Sequence, residues 1–402
     1  MKKVLALALA ILMAVSLIGC ASQPAATTAP AAEAPAAGEQ KTEAEAPANT
    51  DPILIGVYGP MSGDSAMVGN TEVEGVKLAT KQINEAGGIH GRQIELVIED
   101  DAQNPATAVS AVNKLVYQDN VVAVIGTINS SCTLASMEVT KDAGIPHITP
   151  ISSGASITNV GNPWIARVQA SDLLQAGAVV KYAVEKLGAK KVGLLYQSDD
   201  YGTGAMEVIV EQMTGYGMEL AACEAFEASA NDMSPQLLNV KKADCDALIV
   251  YTMYQQGALI AKQARQLGIN CPLMGGGGLT NAKLYELGGD AVVGLVNSQT
   301  FFANNPNASK ASADFVAAFQ AEYGKLPDSN NAMAYDSMII MGEGLKAAGP
   351  DLDPQAIMDG IHAVKDMELA TGTITIAENG DAVRDEILMV RLVGDKQYEL
   401  VQ

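Results

Sequence analysis

The hydrophobic positions of this chain alternate between short continuous runs and longer runs with helical spacing. The continuous apolar runs, bounded by turn residues, predict buried parallel strands, and in the first part of the chain they lie at Ile53–Tyr58, Ile94–Glu99, Val121–Ile125 and Ile145–Thr149. Between the first two runs, four apolar residues fall on one face of a helix that Gly87-Gly88 ends; they are Val73, Val76, Ala79 and Ile83. This alternation is typical of an open, doubly wound α/β sheet.

The same alternation begins again after residue 170. A helix predicted just before the strand Val192–Tyr196 has an apolar face that we assign to Leu173, Ala176, Val180, Ala183 and Leu187. Further strands of this second unit are predicted at Met218–Ala222, Ala247–Tyr251, Pro272–Met274 and Gly294–Ser298. The chain therefore encodes two α/β units in tandem.

The last part of the body is helix-rich and then ends in short strands. The helices are predicted at Ala313–Tyr323, Ala332–Ala348 and Pro354–Val364, and the strands at Gly372–Ile376, Ile387–Leu392 and Gln397–Val401. Helices without a sheet of their own must pack on an existing sheet. We therefore expect the helices to return to the first unit and the final strands to return to the second.

This packing predicts two lobes, each built from two separate parts of the chain. Lobe 1 consists of residues 51–170 and 300–370, and lobe 2 of residues 171–299 and 371–402. The chain then crosses between the lobes three times, near Ala170, Thr300 and Thr371. Several crossings side by side form a hinge, and a cleft between two hinged lobes suits a ligand that closes it.

The N-terminus carries a targeting segment rather than part of the fold. Lys2 and Lys3 precede an apolar run from Val4 to Ile18, which is shorter than the roughly 20 residues that span a membrane. The run ends in Leu17-Ile18-Gly19-Cys20, which resembles the lipobox of bacterial lipoproteins. We expect residues 1–19 to be a signal peptide, Cys20 to carry the lipid, and residues 20–50, rich in Ala, Pro and Glu, to form a disordered tether. The alternative is an ordinary signal peptide.

Composition and charge exclude several classes of function. The chain has 25 Lys and Arg against 46 Asp and Glu, a formal charge of −21, which argues against nucleic acid as a partner. The three histidines, His90, His147 and His362, are isolated along the sequence. The cysteines after Cys20 form no CxxC pair, so we expect no structural metal and no cofactor. These cysteines are Cys132, Cys223, Cys245 and Cys271, and the sequence leaves open whether they are free or disulfide-bonded.

Five short motifs occur in an order that resembles a known family. They are Gly59-Pro60-Met61-Ser62-Gly63, Ile83-Asn84-Glu85-Ala86-Gly87-Gly88-Ile89, Ser130-Ser131-Cys132-Thr133, Gly144-Ile145-Pro146 and Tyr201-Gly202-Thr203-Gly204. Together they are similar to the leucine/isoleucine/valine-type binding proteins of ABC importers, and the resemblance covers the chain from about residue 52 to the end. It implies a type I periplasmic binding protein fold, the two-lobed Venus flytrap with a three-crossover hinge.

In doubly wound sheets, ligands bind beyond the carboxyl ends of the strands. The loop from Gly126 to Ser131 follows a strand and opens a helix, so its free N–H groups and the Ser130 hydroxyl are suited to a carboxylate. Ser152 and Ser153 follow the next strand. The resemblance implies that the positions of Ser130 and Ser153 hold the carboxylate of an amino acid. The alternative is that Ser130 only caps the helix.

The facing lobe offers Tyr201, which matches the ligand-covering tyrosine of the family, and also Tyr254 and Gln255. Three positions depart from the family pattern. The acid that receives the ligand's ammonium group falls at Gly277, and the aromatic residue of the aliphatic pocket falls at Val68. A second aromatic position of the family falls near Asn330. Since burying an unpaired ammonium is unfavourable, either another acid such as Asp199 or Asp200 takes the role, or the ligand has no ammonium.

The sequence thus favours a monomeric, non-enzymatic binding protein, lipid-anchored outside the bacterial cytoplasm. It would capture a branched-chain or other amino acid by cleft closure and deliver it to an ABC permease. An amide, a short peptide or a small carboxylate is the alternative ligand. A sensor lobe without transport is a further hypothesis, as is an enzyme that uses the same cleft. The motifs G-x-S-x-G, Walker A and HExxH are absent from the sequence, so an enzyme is the weakest of these.

The lipid anchor is testable by replacing the cysteine of the lipobox. Cys20→Ser should release the protein from the membrane fraction, because the thiol that would carry the lipid is gone. Cell fractionation and immunoblotting measure this, with Cys223→Ser as the matched control that should stay membrane-bound. Unchanged membrane association of the Cys20→Ser variant would contradict the lipoprotein interpretation.

Overall fold

The computed structural model describes residues 49–401, apart from residues 282, 385, 395 and 396 and the side chain of Asp64. The predicted signal peptide, Cys20 and most of the tether lie outside the described residues. Within the described part of the chain, no helix is long and apolar enough to cross a membrane.

The first sheet has five strands, all parallel, and three helices connect them. The strands are β1 (Ile53–Gly59), β2 (Ile94–Asp100), β3 (Ala123–Gly126), β4 (His147–Thr149) and β5 (Ile165–Arg167), and the helices are α1 (Ala66–Glu85), α2 (Pro105–Tyr117) and α3 (Ser130–Ala143). Their spatial order is β2-β1-β3-β4-β5. Four of these strands were predicted from their apolar runs. Strand β5 was not predicted, because its three residues end in Arg167 and form no continuous apolar run.

The second sheet begins with five parallel strands of its own. They are β6 (Lys191–Gln197), β7 (Glu219–Phe226), β8 (Ala247–Tyr251), β9 (Leu273–Gly275) and β10 (Val296–Gln299). Helix α4 (Asp172–Glu185) precedes β6, and the helices between the strands are α5 (Asp200–Gly215), α6 (Ser234–Ala243), α7 (Tyr254–Gln266) and α8 (Lys283–Gly288). The tandem α/β units predicted from the sequence are therefore confirmed.

The C-terminal region supplies three helices and five short strands. They are α9 (Lys310–Tyr323), α10 (Ser329–Ala347), α11 (Pro354–His362), β11 (Met367–Leu369), β12 (Gly372–Ile376), β13 (Ala382–Val383), β14 (Leu388–Gly394) and β15 (Gln397–Leu400). Strands β14 and β15 join the second sheet in the antiparallel sense, giving the order β15-β14-β10-β9-β8-β6-β7. Strands β11, β12 and β13 form a separate three-stranded sheet.

The three-stranded sheet lies against the first sheet, which corrects one expectation from the sequence. The Arg167 N–H donates to the Gly380 carbonyl at 2.8 Å, and the Ile376 N–H donates to the Val364 carbonyl at 3.0 Å. Residues 372–383, which we had assigned to the second lobe, thus contact the first. Of the three final strands that the sequence predicts for the second lobe, only β14 and β15 belong to the second sheet.

The buried face of α4 also differs from the predicted one. Leu173 and Leu187 are exposed, whereas Ala176, Val180 and Ala183 are buried as expected. Leu173 lies in the first turn, directly after the helix begins at Asp172, and Leu187 lies beyond the last helical residue. The ends of a helix have fewer packing neighbours than its middle. The predicted apolar face was therefore too long by one residue at each end, Leu173 and Leu187.

Helix α10 packs closely on α1, as predicted for the returning helices. A Cβ atom added at Gly75 would lie 2.3 Å from the Asn331 carbonyl oxygen and 2.9 Å from the Ala334 Cβ. The Asn331 amide nitrogen donates to the Thr71 carbonyl at 2.8 Å across the same contact. Gly75 therefore sets the distance between the two helices.

Replacing Gly75 by alanine should destabilise the protein although alanine favours helices by about 1 kcal/mol. Forcing α1 and α10 apart should cost about 1–3 kcal/mol, measured as the free energy of unfolding in urea. Gly204→Ala in α5 is the matched control, because nothing lies within 4 Å of its added Cβ; it should be neutral or stabilising. Equal effects of the two substitutions would contradict the close packing at Gly75.

Candidate functional site

A cavity with about 530 Å³ of empty space, part of it open to solvent, lies where the carboxyl ends of strands from both sheets meet. Its lining comes from loops and helix starts that follow β3, β4, β5, β6, β8 and β9, together with α1 and α10. The lining residues are Val68, Ile128, Asn129, Ser130, Ile151, Ser153, Gln169, Gln175, Tyr201, Met253, Tyr254, Gly277, Gly278, Thr280 and Asn330. This is the position at which doubly wound folds bind ligands.

Most of the residues singled out from the sequence line this cavity. Those that do so are Val68, Ser130, Ser153, Tyr201, Tyr254, Gly277 and Asn330. The ones outside the lining are Ser131, Ser152, Gln255 and Asp200. Ser152 instead donates to the Thr127 carbonyl at 3.0 Å, and Gln255 lines a separate surface groove. Asp200 is exposed in the first turn of α5.

The start of α3 differs from the expectation in one respect that matters for binding. Asn129 is its N-cap, and its Oδ1 accepts from the N–H groups of Ser131 at 3.0 Å and Cys132 at 3.3 Å. Two N–H groups that we expected to be free for a carboxylate are therefore already bonded. The same geometry removes the alternative that Ser130 is the cap.

The Ser130 hydroxyl instead joins two loops. It accepts from the Gly154 N–H at 3.1 Å, and the Ser130 side chain is almost fully buried. A hydroxyl has one hydrogen to donate besides its acceptor capacity, and this bond leaves that hydrogen for the cavity. A Cβ at Gly154 would lie 3.1 Å from both the Ser130 Cβ and Oγ, so glycine permits the approach.

On the facing side, Tyr201 packs against the glycine-rich loop after β9. Its hydroxyl accepts from the Gly278 N–H at 3.2 Å, and an added Cβ at Gly278 would lie 2.7 Å from that hydroxyl. The Tyr201 ring lies 5.0 Å from the Tyr251 ring. The tyrosine is thus held by the loop on one side and by a second aromatic ring on the other.

The space beside Gly277 is filled by a glutamine amide. The Gly277 N–H donates to Gln175 Oε1 at 3.2 Å, and an added Cβ would lie 2.7 Å from that oxygen. Gln175 is fixed in turn, since its Nε2 donates to the Ala170 carbonyl at 2.8 Å and the Ser298 hydroxyl donates to its Oε1 at 3.2 Å. Among the described residues that line the cavity, none has a charged side chain.

A buried carboxylate behind the cavity escaped the sequence analysis. Asp172 begins α4 and is fully buried; its Oδ1 accepts from the Tyr251 hydroxyl at 2.7 Å, and its N–H donates to the Ser153 carbonyl at 2.9 Å. Its Oδ2 is buried without a hydrogen-bond partner among the described residues. Burial raises the pKa of this carboxyl to about 6, although the nearby hydroxyls of Tyr251 and Ser153 lower it in part.

The one sequence signal for Asp172 is its position just after the first predicted crossing, where an acid at a helix start is ordinary. The acids proposed instead have other surroundings. Asp199 caps α5, with Oδ1 accepting from the Gly202 N–H at 2.9 Å and Oδ2 from the Gln197 amide. Burial raises the Asp199 pKa as well.

Within the described part of the chain, no cluster of three or more His, Cys, Asp or Glu residues is suited to a metal ion. The four described cysteines are free thiols, with Cys132 buried and Cys223 exposed.

Comparison with known proteins gives a consistent result over nearly the whole described chain. The sequence profile of the family described as periplasmic binding protein matches residues 52–397. The chain is 29% identical over 334 residues to the leucine-, isoleucine-, valine-, threonine- and alanine-binding protein of Pseudomonas aeruginosa, covering 82% of this chain and 87% of that protein. It is 27% identical over 329 residues to the Leu/Ile/Val-binding protein of Escherichia coli, covering 82% and 88%.

Solved structures agree with this. The leucine-binding protein LivK from Thermotoga maritima superposes with a TM-score of 0.82 at 28% identity, covering 87% of this chain and 98% of that one. The branched-chain amino acid transporter substrate-binding protein LivJ from Streptococcus pneumoniae, in complex with isoleucine, gives a TM-score of 0.80 at 30% identity, covering 87% and 99%. The two-lobed fold class predicted from the sequence is confirmed by these neighbours.

Proposed function

Because the chain belongs to the periplasmic binding protein family, we propose that it captures a branched-chain or other amino acid in the cavity and delivers it to an ABC permease. The observation that carries this proposal is the Ser130 hydroxyl, buried at the cavity wall with its oxygen engaged by Gly154. Ser153 lines the same wall. Two hydroxyls at one end of a cavity suit the oxygens of a carboxylate.

The apolar part of the cavity lining suits an aliphatic side chain. Val68, Ile128, Ile151 and Met253 contribute apolar surface to the lining. Val68 is smaller than the aromatic residue that the resemblance implies at this position, so the pocket has room for a branched side chain or a larger one. The relatives that this chain resembles are named for binding leucine, isoleucine and valine.

The ammonium group of an amino acid needs a countercharge that the cavity lining does not supply. We propose that Asp172 provides it from behind the lining, because its Oδ2 lacks a partner and its backbone is bonded to Ser153. An unpaired buried ammonium would cost several kcal/mol. The uncharged lining also supports a second candidate, a small carboxylate without an ammonium group.

Binding is proposed to occur by closure of the two lobes and without chemical change of the ligand. Ser130 and Ser153 come from the first part of the chain, while Tyr201 and the Gly277 loop come from the second. A ligand that contacts both sides stabilises the closed form by its extra contacts there. The Ser130 oxygen accepts from the backbone N–H of Gly154, a contact that holds the hydroxyl in place, as expected for a binding residue. The location outside the cytoplasm follows from the family, and the lipid anchor at Cys20 is part of the proposal.

A thermal screen tests the proposal, followed by substitution of adjacent serines. A ligand at 100 times its Kd stabilises the protein by about 2.7 kcal/mol, so branched-chain amino acids should raise the melting temperature.

Ser130→Ala should weaken binding by about 1.5–3 kcal/mol, the usual value for a hydrogen bond to a charged group. Ser131→Ala is the matched control and should change the Kd less than twofold, since Ser131 lies outside the lining. If calorimetry gives both variants the same affinity, the proposed contact between the ligand carboxylate and Ser130 is wrong.

The role of Asp172 is tested with a ligand that lacks the ammonium group. Asp172→Asn should weaken binding of L-leucine at least tenfold but leave 4-methylpentanoate, its deaminated analogue, nearly unchanged. Because the Asp172 pKa is raised to about 6, the carboxylate is ionised above that pH and protonated below it. Leucine affinity of the unmodified protein should therefore fall roughly tenfold between pH 7.5 and pH 5, and the variant should lose this dependence.

The two ligands separate the possible failures. If leucine binds equally to both proteins at every pH, Asp172 is not the countercharge, while solute capture stands. If only 4-methylpentanoate binds, the ligand has no ammonium group and the second candidate replaces the first.

A further inference from the structure

Arg167, the last residue of β5, is a fully buried arginine directly behind the proposed carboxylate grip. A guanidinium has five N–H donors, and the described residues supply acceptors for all five. Nη1 donates to the carbonyls of Ser153 at 2.9 Å and Gly154 at 2.7 Å. Nη2 donates to Thr158 Oγ1 at 3.2 Å. The remaining two bonds, from Nη2 at 2.8 Å and Nε at 3.0 Å, both go to Asp381 Oδ1.

These bonds fix the peptide between Ser153 and Gly154 from two sides. On one side, Arg167, which is not among the cavity-lining residues, binds the carbonyls of Ser153 and Gly154. On the other, the Gly154 N–H donates to the Ser130 hydroxyl, and the Ser153 carbonyl also accepts from the Asp172 N–H. The orientation of the Ser130 oxygen therefore depends on where Arg167 holds Gly154.

The charge that balances Arg167 comes from a distant part of the sequence. Asp381 follows the tight turn between β12 and β13, in which the Ala377 N–H donates to the Asp381 carbonyl at 2.8 Å. Gly380 in this turn has a φ of +84°, and an added Cβ would lie 2.1 Å from the Ile165 carbonyl oxygen. The turn is thus seated directly on β5, and the Asp381 side chain is mostly buried, with 22% of it exposed.

The same segment is attached at a second point. Arg384 donates through Nη2 to the Val168 carbonyl and through Nη1 to the Thr371 carbonyl at 2.9 Å. Residues 371–384 therefore contact the segment that contains β5 through two arginines. Arg167 belongs to β5, and Arg384 belongs to residues 371–384. Asp381 does not line the cavity, and its carboxylate accepts hydrogen bonds from Nε and Nη2 of Arg167, so Arg167 is the direct route by which it can affect binding.

We propose that Asp381 is a positioning residue for the ligand-binding serines and acts on them through the Arg167 guanidinium. The effect on ligand binding rests on the proposed function, whereas the effect on the loop that contains Gly154 can be measured without a ligand. A buried guanidinium that loses its carboxylate partner is left uncompensated. It then shifts toward water or other acceptors and releases the Ser153–Gly154 peptide.

The test uses the full chain with Asp381→Asn, which keeps the side-chain shape and removes the charge. Without ligand, amide hydrogen exchange at Gly154 should become at least tenfold faster, while the Val124 amide of β3, bonded to the Pro146 carbonyl, should change less than twofold. Glu343→Gln is the matched control, since it breaks an exposed ion pair with Lys346. It should alter neither amide. Equal acceleration of Gly154 and Val124 would show general destabilisation and overturn the proposal.

A double-mutant cycle supplies the second readout, with L-leucine and 4-methylpentanoate as the probes. Asp381→Asn should raise the Kd for the probe that binds five- to twentyfold, but less than threefold in a Ser130→Ala background, because the group that it positions is then absent. Equal fold-changes in the two backgrounds would overturn the positioning role. If neither probe binds the unmodified protein, the proposed function fails, and the exchange measurement alone decides whether Asp381 holds the loop.

Discussion

The hydrogen bond from the Gly154 N–H to the Ser130 hydroxyl joins the loops that follow β3 and β4, and the rest of the site is arranged around it. It requires a glycine at 154, since a larger residue would press on Ser130. It also requires that Ser130 not be the helix cap, and Asn129 takes that role. The Gly154 N–H uses one of the two lone pairs of the hydroxyl oxygen and leaves its hydrogen to donate, which suits a ligand that offers an acceptor.

The charge distribution around the cavity follows a consistent physical arrangement. Charged groups stand behind the lining instead of in it: Arg167 makes five hydrogen bonds to four acceptor atoms, and Asp172 is bonded to Tyr251. The polar part of the lining consists of neutral hydroxyl and amide groups. Such a surface suits a zwitterion or a carboxylate held by directed hydrogen bonds. It also avoids the large desolvation penalty that a fully charged, empty cavity would carry.

Much of this architecture could be predicted from the sequence, because parallel strands buried on both faces leave continuous apolar runs. The runs at Ile53–Tyr58 and Ala247–Tyr251 predicted β1 and β8 almost to the residue. Strands β5 and β13 carry no such run, because β5 ends in Arg167 and β13 has only two residues. The placement of residues 372–383 depends on Arg167 and Gly380, a contact between positions far apart in sequence.

The same distinction applies to the site. Ser130, Ser153 and Tyr201 were found from motifs at strand ends, where the local pattern and the ligand position coincide. Asp172 and the Gln175 amide beside Gly277 were not, because their roles depend on burial and on neighbours from other elements. The most direct measurement of the central claim is a crystal structure of the protein grown with L-leucine. The account predicts a carboxylate oxygen within about 3.2 Å of the Ser130 Oγ and the aliphatic end toward Val68; leucine bound in the opposite orientation, or outside this cavity, would contradict it.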